Sequence, residues 1–244
     1  MNATAKLFRT ELRLVLREPL VLTFVFAFPI VTVLVIAGSF GTHPTPGFAG
    51  TKPSDWYVSS YLAVVIAAIG LVMVPVHVAS YRERGVLRRF ASAGFPRWSF
   101  AVAQVAAGVV LTMAASAVLL AVAGAVYGLP PIESPLRVVA GIILGAVAFT
   151  SVGLLLGACM PNARAAQGVG LLLFFPSFLL GGGGPPPSQM GSAMHTIAQA
   201  LPLTHVTESI RNPWLGLGTG STHLLVVAAV LAATALGWRR AVEL

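Results

Sequence analysis

Charge is scarce in this chain. Asp, Glu, Lys and Arg make up 9% of its 244 residues, against about 25% in a soluble domain. That shortage excludes a water-exposed globular protein, a disordered chain and a coiled coil. Cysteine is nearly absent: Cys159 stands alone, so no intrachain disulfide can form. Lysine occurs only as Lys6, after Ala5, and as Lys52, between Thr51 and Pro53. Neither follows a glycine, so the Gly-Lys-[Ser/Thr] loop that cradles nucleotide phosphates is missing. An HExxH zinc helix and a G-x-S-x-G elbow are missing too. The histidines His43, His77, His195, His205 and His223 are scattered without metal-ligand spacing, although His195, His205 and Glu208 share one segment. The expectation is therefore no catalytic residue and no metal-ligand set.

What fills the chain is apolar. Hydrophobic residues make up 57% of it, and the mean hydropathy is +0.87. A membrane-crossing helix takes about 20 such residues. Six apolar runs are legible: Leu20–Phe40, Tyr57–Ser80, Ser99–Tyr127, Leu136–Cys159, Ala165 to about Leu180, and Thr222–Trp238. The first is longer than the apolar stretch of a signal peptide and reads as an uncleaved span. Six spans leave no length for a large soluble domain, so an ATPase or catalytic module of ordinary size belongs on another chain.

Basic residues orient the spans. The chain carries 15 Lys and Arg against 7 Asp and Glu. Twelve of the basic residues fall on one side of a six-span alternation: Lys6, Arg9, Arg13, Arg17, Arg82, Arg84, Arg88, Arg89, Arg97, Arg164, Arg239 and Arg240. Lys52, Arg137 and Arg211 fall on the other. Positive charge is retained on the cytoplasmic side, so both termini are expected there. Five or seven spans would break the alternation. The basic clusters face membrane phosphates rather than nucleic acid.

Two basic segments have helical amphipathicity. Over residues 4–18, Lys6, Arg9, Arg13 and Arg17 fall within an arc of roughly 80°, opposite Phe8, Leu12, Val15 and Leu16. Pro19 then breaks the helix. Such a helix lies in the membrane interface. Over Tyr81–Pro96, read as one helix, Glu83, Val86, Leu87 and Phe90 share an arc of about 100°, flanked by arginines. Exposed apolar side chains around a carboxylate suit the groove of a partner protein.

Polar residues inside the spans are few. His77 is the clearest ionisable one, and such residues are functional candidates. Ser60, near one end of the second span, and Gln104 and Gln167, near the ends of the third and fifth, are others. Pro29, Pro75 and Pro176 each remove a backbone donor and bend their helices. Gly141/Gly145 and Gly153/Gly157 read as close helix packing. Phe174 and Phe178 share a face of the fifth span at i,i+4. An aromatic, kinked wall suits an apolar or cationic substrate. The path candidates are thus Ser60, His77, Gln167, Phe174 and Phe178. Between the fifth and sixth spans, Ser188–Leu201 and Leu203–Ile210 read as short helices dipping into the outer leaflet.

Three features together resemble a known family, the membrane-spanning subunits of ABC-2 type transporters, and within it the bacterial drug-export, daunorubicin-resistance-like branch. The basic amphipathic segment ends at Arg17-Glu18-Pro19. Glu83-Arg84-Gly85-Val86-Leu87, with Pro96 beyond it, is similar to the family's E-x-G-[TS]-L pattern, except that Val86 stands where Thr or Ser is usual. Leu201-Pro202-Leu203-Thr204 with Glu208 and Arg211 is similar to its L-P-x-[TS]…E-x-x-R stretch. The resemblance implies an export permease for a hydrophobic or amphipathic, drug-like or lipid-like compound. It implies a pair of permeases, homodimeric or heterodimeric, on two copies of a separate ATPase that holds ATP and Mg. This chain then carries no cofactor. Glu83, Arg84, Gly85, Leu87, Arg88 and Phe90 would form the coupling helix, and the second and fifth spans would face the dimer axis and the substrate path. Pro202, Glu208 and Arg211 would form an outer motif.

The fold expected is an all-α membrane protein of six transmembrane helices. It divides into an amphipathic interfacial helix (1–19), spans one and two (20–80), a cytoplasmic coupling segment (81–97), spans three to five (98–183), an outer re-entrant segment (184–221), and the last span with its tail (222–244). The location expected is the plasma membrane. An ion-coupled transporter or channel is the alternative function, and an intramembrane enzyme a more distant one. The first usually wants carboxylates within the membrane, and the second needs them or a nucleophile–base pair there. The spans as read hold no acidic residue.

Overall fold

The computed structural model describes residues 3–15, 19–41, 43–92, 94 and 97–243. The protein is 85% helical, with no strand among the described residues. The helices are α1 (Ala3–Val15), α2 (Pro19–Leu22), α3 (Phe28–Ser39), α4 (Pro53–Ala67), α5 (Val74–Glu83), α6 (Val86–Ser92), α7 (Arg97–Tyr127), α8 (Pro135–Cys159), α9 (Ala163–Phe178), α10 (Ser192–Ala200), α11 (Pro202–Leu215) and α12 (Ser221–Glu243).

Among the described residues, five helical runs are long and apolar enough to cross a membrane: Pro46–Glu83, Trp98–Tyr127, Pro135–Cys159, Ala163–Gly183 and Ser221–Trp238. The expected first span is a shorter apolar run, Thr23–Ser39. A π-helical turn, Thr23–Ala27, joins α2 to α3, and a second, Ala68–Met73, joins α4 to α5. Each sits two residues before a proline, Pro29 or Pro75. Proline has no N–H and its ring crowds the carbonyl four residues back, here Val25 or Leu71, inside the π turn. The helix absorbs the misfit as one widened turn.

Span two (α4, its π turn and α5) is the axis of the bundle. Within its most apolar window 89% of residues are buried, against 33% for the fifth span and 6% for the last. It packs against α3, α7, α8, α9 and α11. Glycine permits the closest of these approaches. At Gly153 on α8 a Cβ would collide with the Gly70 carbonyl oxygen, and at Gly157 it would come 2.7 Å from the Pro75 oxygen. Gly141 and Gly145 seat α11 in the same way, against Ser209 and Val206. The two expected glycine pairs of α8 therefore form one packing line, facing span two and α11.

Candidate functional site

At the end of the bundle that carries α1, α6 and the α8–α9 turn, three polar arrangements meet. α5 ends span two at Glu83. Gly85 follows at φ +68°, a left-handed conformation that glycine adopts with little strain. α6 then restarts at Val86. The single helix expected over Tyr81–Pro96 is thus two helices broken at Gly85, and Glu83 closes the first instead of opening the second. Pro96 lies outside the described residues. Arg84, Arg88 and Arg89 are exposed. Leu87 and Phe90 are half-buried against the chain's own core, so the apolar stripe is not free.

Arg82 and Glu83 grip the α8–α9 turn from both sides. Arg82 Nη1 donates to the Ala158 and Met160 carbonyls at the end of α8. Glu83 Oε2 accepts the Ala163 N–H, 3.2 Å away, at the start of α9. A cation thus meets the negative end of one helix and a carboxylate the positive end of the next. The Asn162 side chain completes the α9 cap by accepting from Ala165 N–H at 2.8 Å.

The third arrangement centres on Glu11, which the hydropathy and charge patterns do not single out. α1 lies along α7 with Leu7 and Glu11 buried and Arg9 and Arg13 exposed. The Lys6 side chain and the whole of Arg17 lie outside the described residues. Glu11 Oε2 accepts from Gln104 Nε2 at 2.7 Å and from the Tyr81 hydroxyl at 3.1 Å. Burial pushes this carboxyl up to about 7, against the lowering pull of the two hydrogen bonds.

Between the bundle ends, an apolar groove of about 350 Å³ runs beside spans one, two and five. Phe24, Val72, Val76, Gln167, Leu171 and Phe175 are among its walls. Gln167 thus lies on the groove. Phe174 and Phe178 do not line it; they stack inside the bundle at 5.9 Å between ring centroids, with Phe28 5.7 and 5.4 Å from them. Phe175, between them in sequence, turns to the groove and is 44% exposed. Ser60 is buried and donates to the Trp56 carbonyl at 2.7 Å. His77 is buried too, its ring edge-on to Tyr81 at 6.3 Å. The structure therefore does not gather Ser60, His77, Gln167, Phe174 and Phe178 around one cavity.

At the opposite end, the fifth span unwinds at Gly181–Gly184. Three of its carbonyls find hydroxyl donors: Gly181 accepts from Thr207 Oγ1, Gly183 from the Tyr61 hydroxyl at 3.2 Å, and Gly184 from the Tyr57 hydroxyl at 3.1 Å. Irregular backbone is tolerated near a membrane only when satisfied in this way. Pro202 starts α11, where its missing N–H costs nothing. Glu208 and Arg211, one turn apart on α11, lie 3.6 Å from each other. The Arg211 guanidinium is buried over the Trp56 ring, 3.7 Å from its centroid. Burial pulls Arg211 down to about 10, with Glu208 opposing, so it stays charged at neutral pH. His195 does not join this cluster; His223, from α12, reaches Glu208 instead at 3.1 Å. Among the described residues no group of three or more His, Cys, Asp or Glu could hold a metal ion.

The sequence profile described as "ABC-2 type transporter" matches residues 3–214 of this chain. No curated protein matches it.

Proposed function

This chain belongs to the ABC-2 type transporter family, multi-pass permease subunits that work with ABC ATPases, and on that premise we propose that it exports a hydrophobic or amphipathic compound, drug-like or lipid-like. ATP and Mg are held and used by two copies of a separate ATPase chain. A second permease, identical or related, completes the pore in the plasma membrane, with both termini cytoplasmic.

The groove beside spans one, two and five carries the substrate reading. Its walls are apolar and aromatic with a single amide, Gln167. Such a surface gains free energy by removing apolar area from water, roughly 25 cal/mol per Å², and offers little to a small hydrophilic ion. Span two is enclosed by its own subunit, so the path runs along the face where Phe24, Val72 and Phe175 are presented to a partner permease or to lipid. In the coupling role, α6 and the α5 end offer Arg84 and Arg88 to the ATPase. Leu87 and Phe90 hold α6 on the bundle, and Gly85 sets the angle between the two helices. Lys6, Arg9, Arg13 and Arg17 hold α1 at the lipid phosphates.

Reconstituted with its ATPase, the wild-type permease is expected to give hydrolysis stimulated by an apolar cation or a lipid-like amphiphile. Phe175→Ala and Leu171→Trp should each change that stimulation or the apparent KM at least several-fold, while basal hydrolysis and insertion persist. Unchanged stimulation and KM in both variants would remove the groove from the substrate path.

A further inference from the structure

Two imidazoles face each other where α11 meets α12. His205 Nδ1 and His223 Nδ1 are 3.1 Å apart, with ring centroids 5.4 Å apart. The two Nδ1 lone-pair directions are then nearly in line, the geometry of one N–H···N hydrogen bond. The far nitrogens are engaged as well. His205 Nε2 lies 3.0 Å from the Gln199 carbonyl oxygen, and His223 Nε2 lies 3.1 Å from Glu208 Oε2. Three consecutive gaps therefore each need a hydrogen. A carbonyl only accepts, so His205 Nε2 supplies the first. Two neutral rings carry two hydrogens between them, and an ionised carboxylate carries none. One hydrogen is missing.

We propose that His205, His223 and Glu208 form a binding site for one proton, and that this proton latches the last span to α11. With it bound, every gap holds a hydrogen. One ring is imidazolium, its Nδ1–H donated to the other ring, and Glu208 is the counter-ion. The proton belongs to the three side chains together. Without it, two acceptors face each other across one gap and the contact opens. A second proton on the rings would put a hydrogen on both Nδ1 atoms and open it again. The closed contact thus holds one proton more than the open one, so it is favoured as pH falls and lost as pH rises. The Glu208 carboxylate is fixed in place by Arg211, 3.6 Å away, whose guanidinium is buried over Trp56. Both rings are half-buried, within reach of protons from water. Of the elements packed on α11 or α12, α4 brings Asp55, Tyr57 and Tyr61, and α10 brings His195. Tyr57 and Tyr61 donate to Gly184 and Gly183 instead. α8 brings Arg137 in its first turn, and Glu133 before it lies by Gly216. Arg164 on α9, and Arg239, Arg240 and Glu243 on α12, belong to the other end of the bundle. Among the described residues, the charged groups that reach the imidazoles are Glu208 and, through it, Arg211. The last span is the least enclosed, 6% buried in its most apolar window, so one bond to α11 matters to it. In the topology proposed above this end is external and the proton is drawn from outside the cell; the latch itself does not depend on that orientation.

The test uses the full chain with ¹⁵N-labelled histidine in lipid bilayers, from about pH 5 to about pH 9, which brackets the charge change of imidazole. One readout is the magnetic coupling between the two Nδ1 nuclei, which passes through a hydrogen bond joining them. The other is amide exchange over the first turns of α12, corrected for its intrinsic pH dependence. Wild type should show the coupling toward the acid end and lose it toward the alkaline end. Exchange should rise roughly ten-fold over the same range, the scale of a hydrogen bond to a charged group. His205→Ala and His223→Ala should exchange fast at every pH, and His195→Ala should behave as wild type. Glu208→Gln separates the proton site from a mere anchor. Its amide can donate to His223 Nε2 and supply the third hydrogen with no proton from solvent. Coupling and slow exchange should therefore persist to the alkaline end, whereas loss of a mere anchor would loosen α12 at every pH. Elution volume and helicity establish that each variant is folded, and Glu208→Gln carries the test should a histidine variant fail to insert. Absence of the coupling in wild type at every pH overturns the proposal. So does coupling unchanged across the range, or a Glu208→Gln variant that is loose throughout or as pH-dependent as wild type.

Discussion

Glu11 illustrates how one side chain sets the attachment of a whole helix. It is 2% exposed, on a helix whose described cations, Arg9 and Arg13, face away. Its carboxyl is raised from 4.5 to about 7 by burial. An acid whose folded value is raised binds its proton more tightly when docked than when free. The full advantage is present below pH 4.5 and is lost as pH rises toward 7. A tenfold difference in proton affinity is worth about 1.4 kcal/mol, so the docked state loses at most roughly 3 kcal/mol across that window. The hydrogen bonds from Gln104 and Tyr81, which favour the charged form, keep α1 from being expelled. Amide exchange in α1, corrected for its intrinsic pH dependence, should accelerate between pH 5 and 8 in wild type. Glu11→Gln keeps an acceptor for both donors and has nothing to titrate, so its exchange should be flat. An equal slope in Glu11→Gln would place the pH dependence on another group. Little in the sequence warns of Glu11: a lone carboxylate beside a basic stripe looks like surface decoration until α7 and span two supply Gln104 and Tyr81.

At the scale of elements, the α5–α6 break and the α8–α9 turn act as one joint. Arg82 and Glu83 are adjacent in sequence yet hold the ends of two different helices. The last turn of α5 is thereby tied to both α8 and α9, just before the break that leads to α6. Glu83→Ala removes a capping acceptor, worth about 1 kcal/mol, and should raise amide exchange at Ala163–Ala165. Glu83→Gln retains an acceptor oxygen and should raise it less. Co-purification with the ATPase and export, measured on both variants, separate two roles. If export falls in proportion to exchange, Glu83 works by holding the turn. If Glu83→Gln loses export with the turn intact, its charge meets the partner. The existence of these helices was legible from hydropathy and amphipathicity. The break at Gly85 was also readable, since glycine before an apolar run is an ordinary helix stop, but arginines on both sides continue the helical pattern through it. Pro29 and Pro75 announced irregularity, whereas its form, a π turn, depends on how tightly span two is enclosed.

For the whole molecule, 9% charge was enough to place the chain in the membrane, and continuous apolar runs of about 20 residues made its spans helices. The order of burial was not legible. A helix apolar on every side reads the same whether it faces lipid or protein, so nothing in its hydropathy marked span two as the axis or the last span as peripheral. For the same reason Phe174 and Phe178 looked like path residues, although Phe28, from span one, closes over them and leaves Phe175 on the groove. Orientation, by contrast, rests on charge alone. Twelve cations lie on one side of the six-span alternation and three on the other, and the short first span, Thr23–Ser39, is the element on which that alternation depends. If it crosses, residue 1 and the 41–56 loop lie on opposite sides of the membrane. If it only enters one leaflet and returns, they lie on the same side, Lys6, Arg9, Arg13 and Arg17 join Lys52, Arg137 and Arg211, and the basic clusters no longer segregate. Reporter fusions at residue 1 and within 41–56 should therefore give opposite signals, cytoplasmic for the first and external for the second. Adding two arginines to the 41–56 loop, which opposes the existing bias, should reduce external signal from that loop without moving the reporter at residue 1. Two reporters on the same side in the unaltered chain would remove span one and with it the six-span topology.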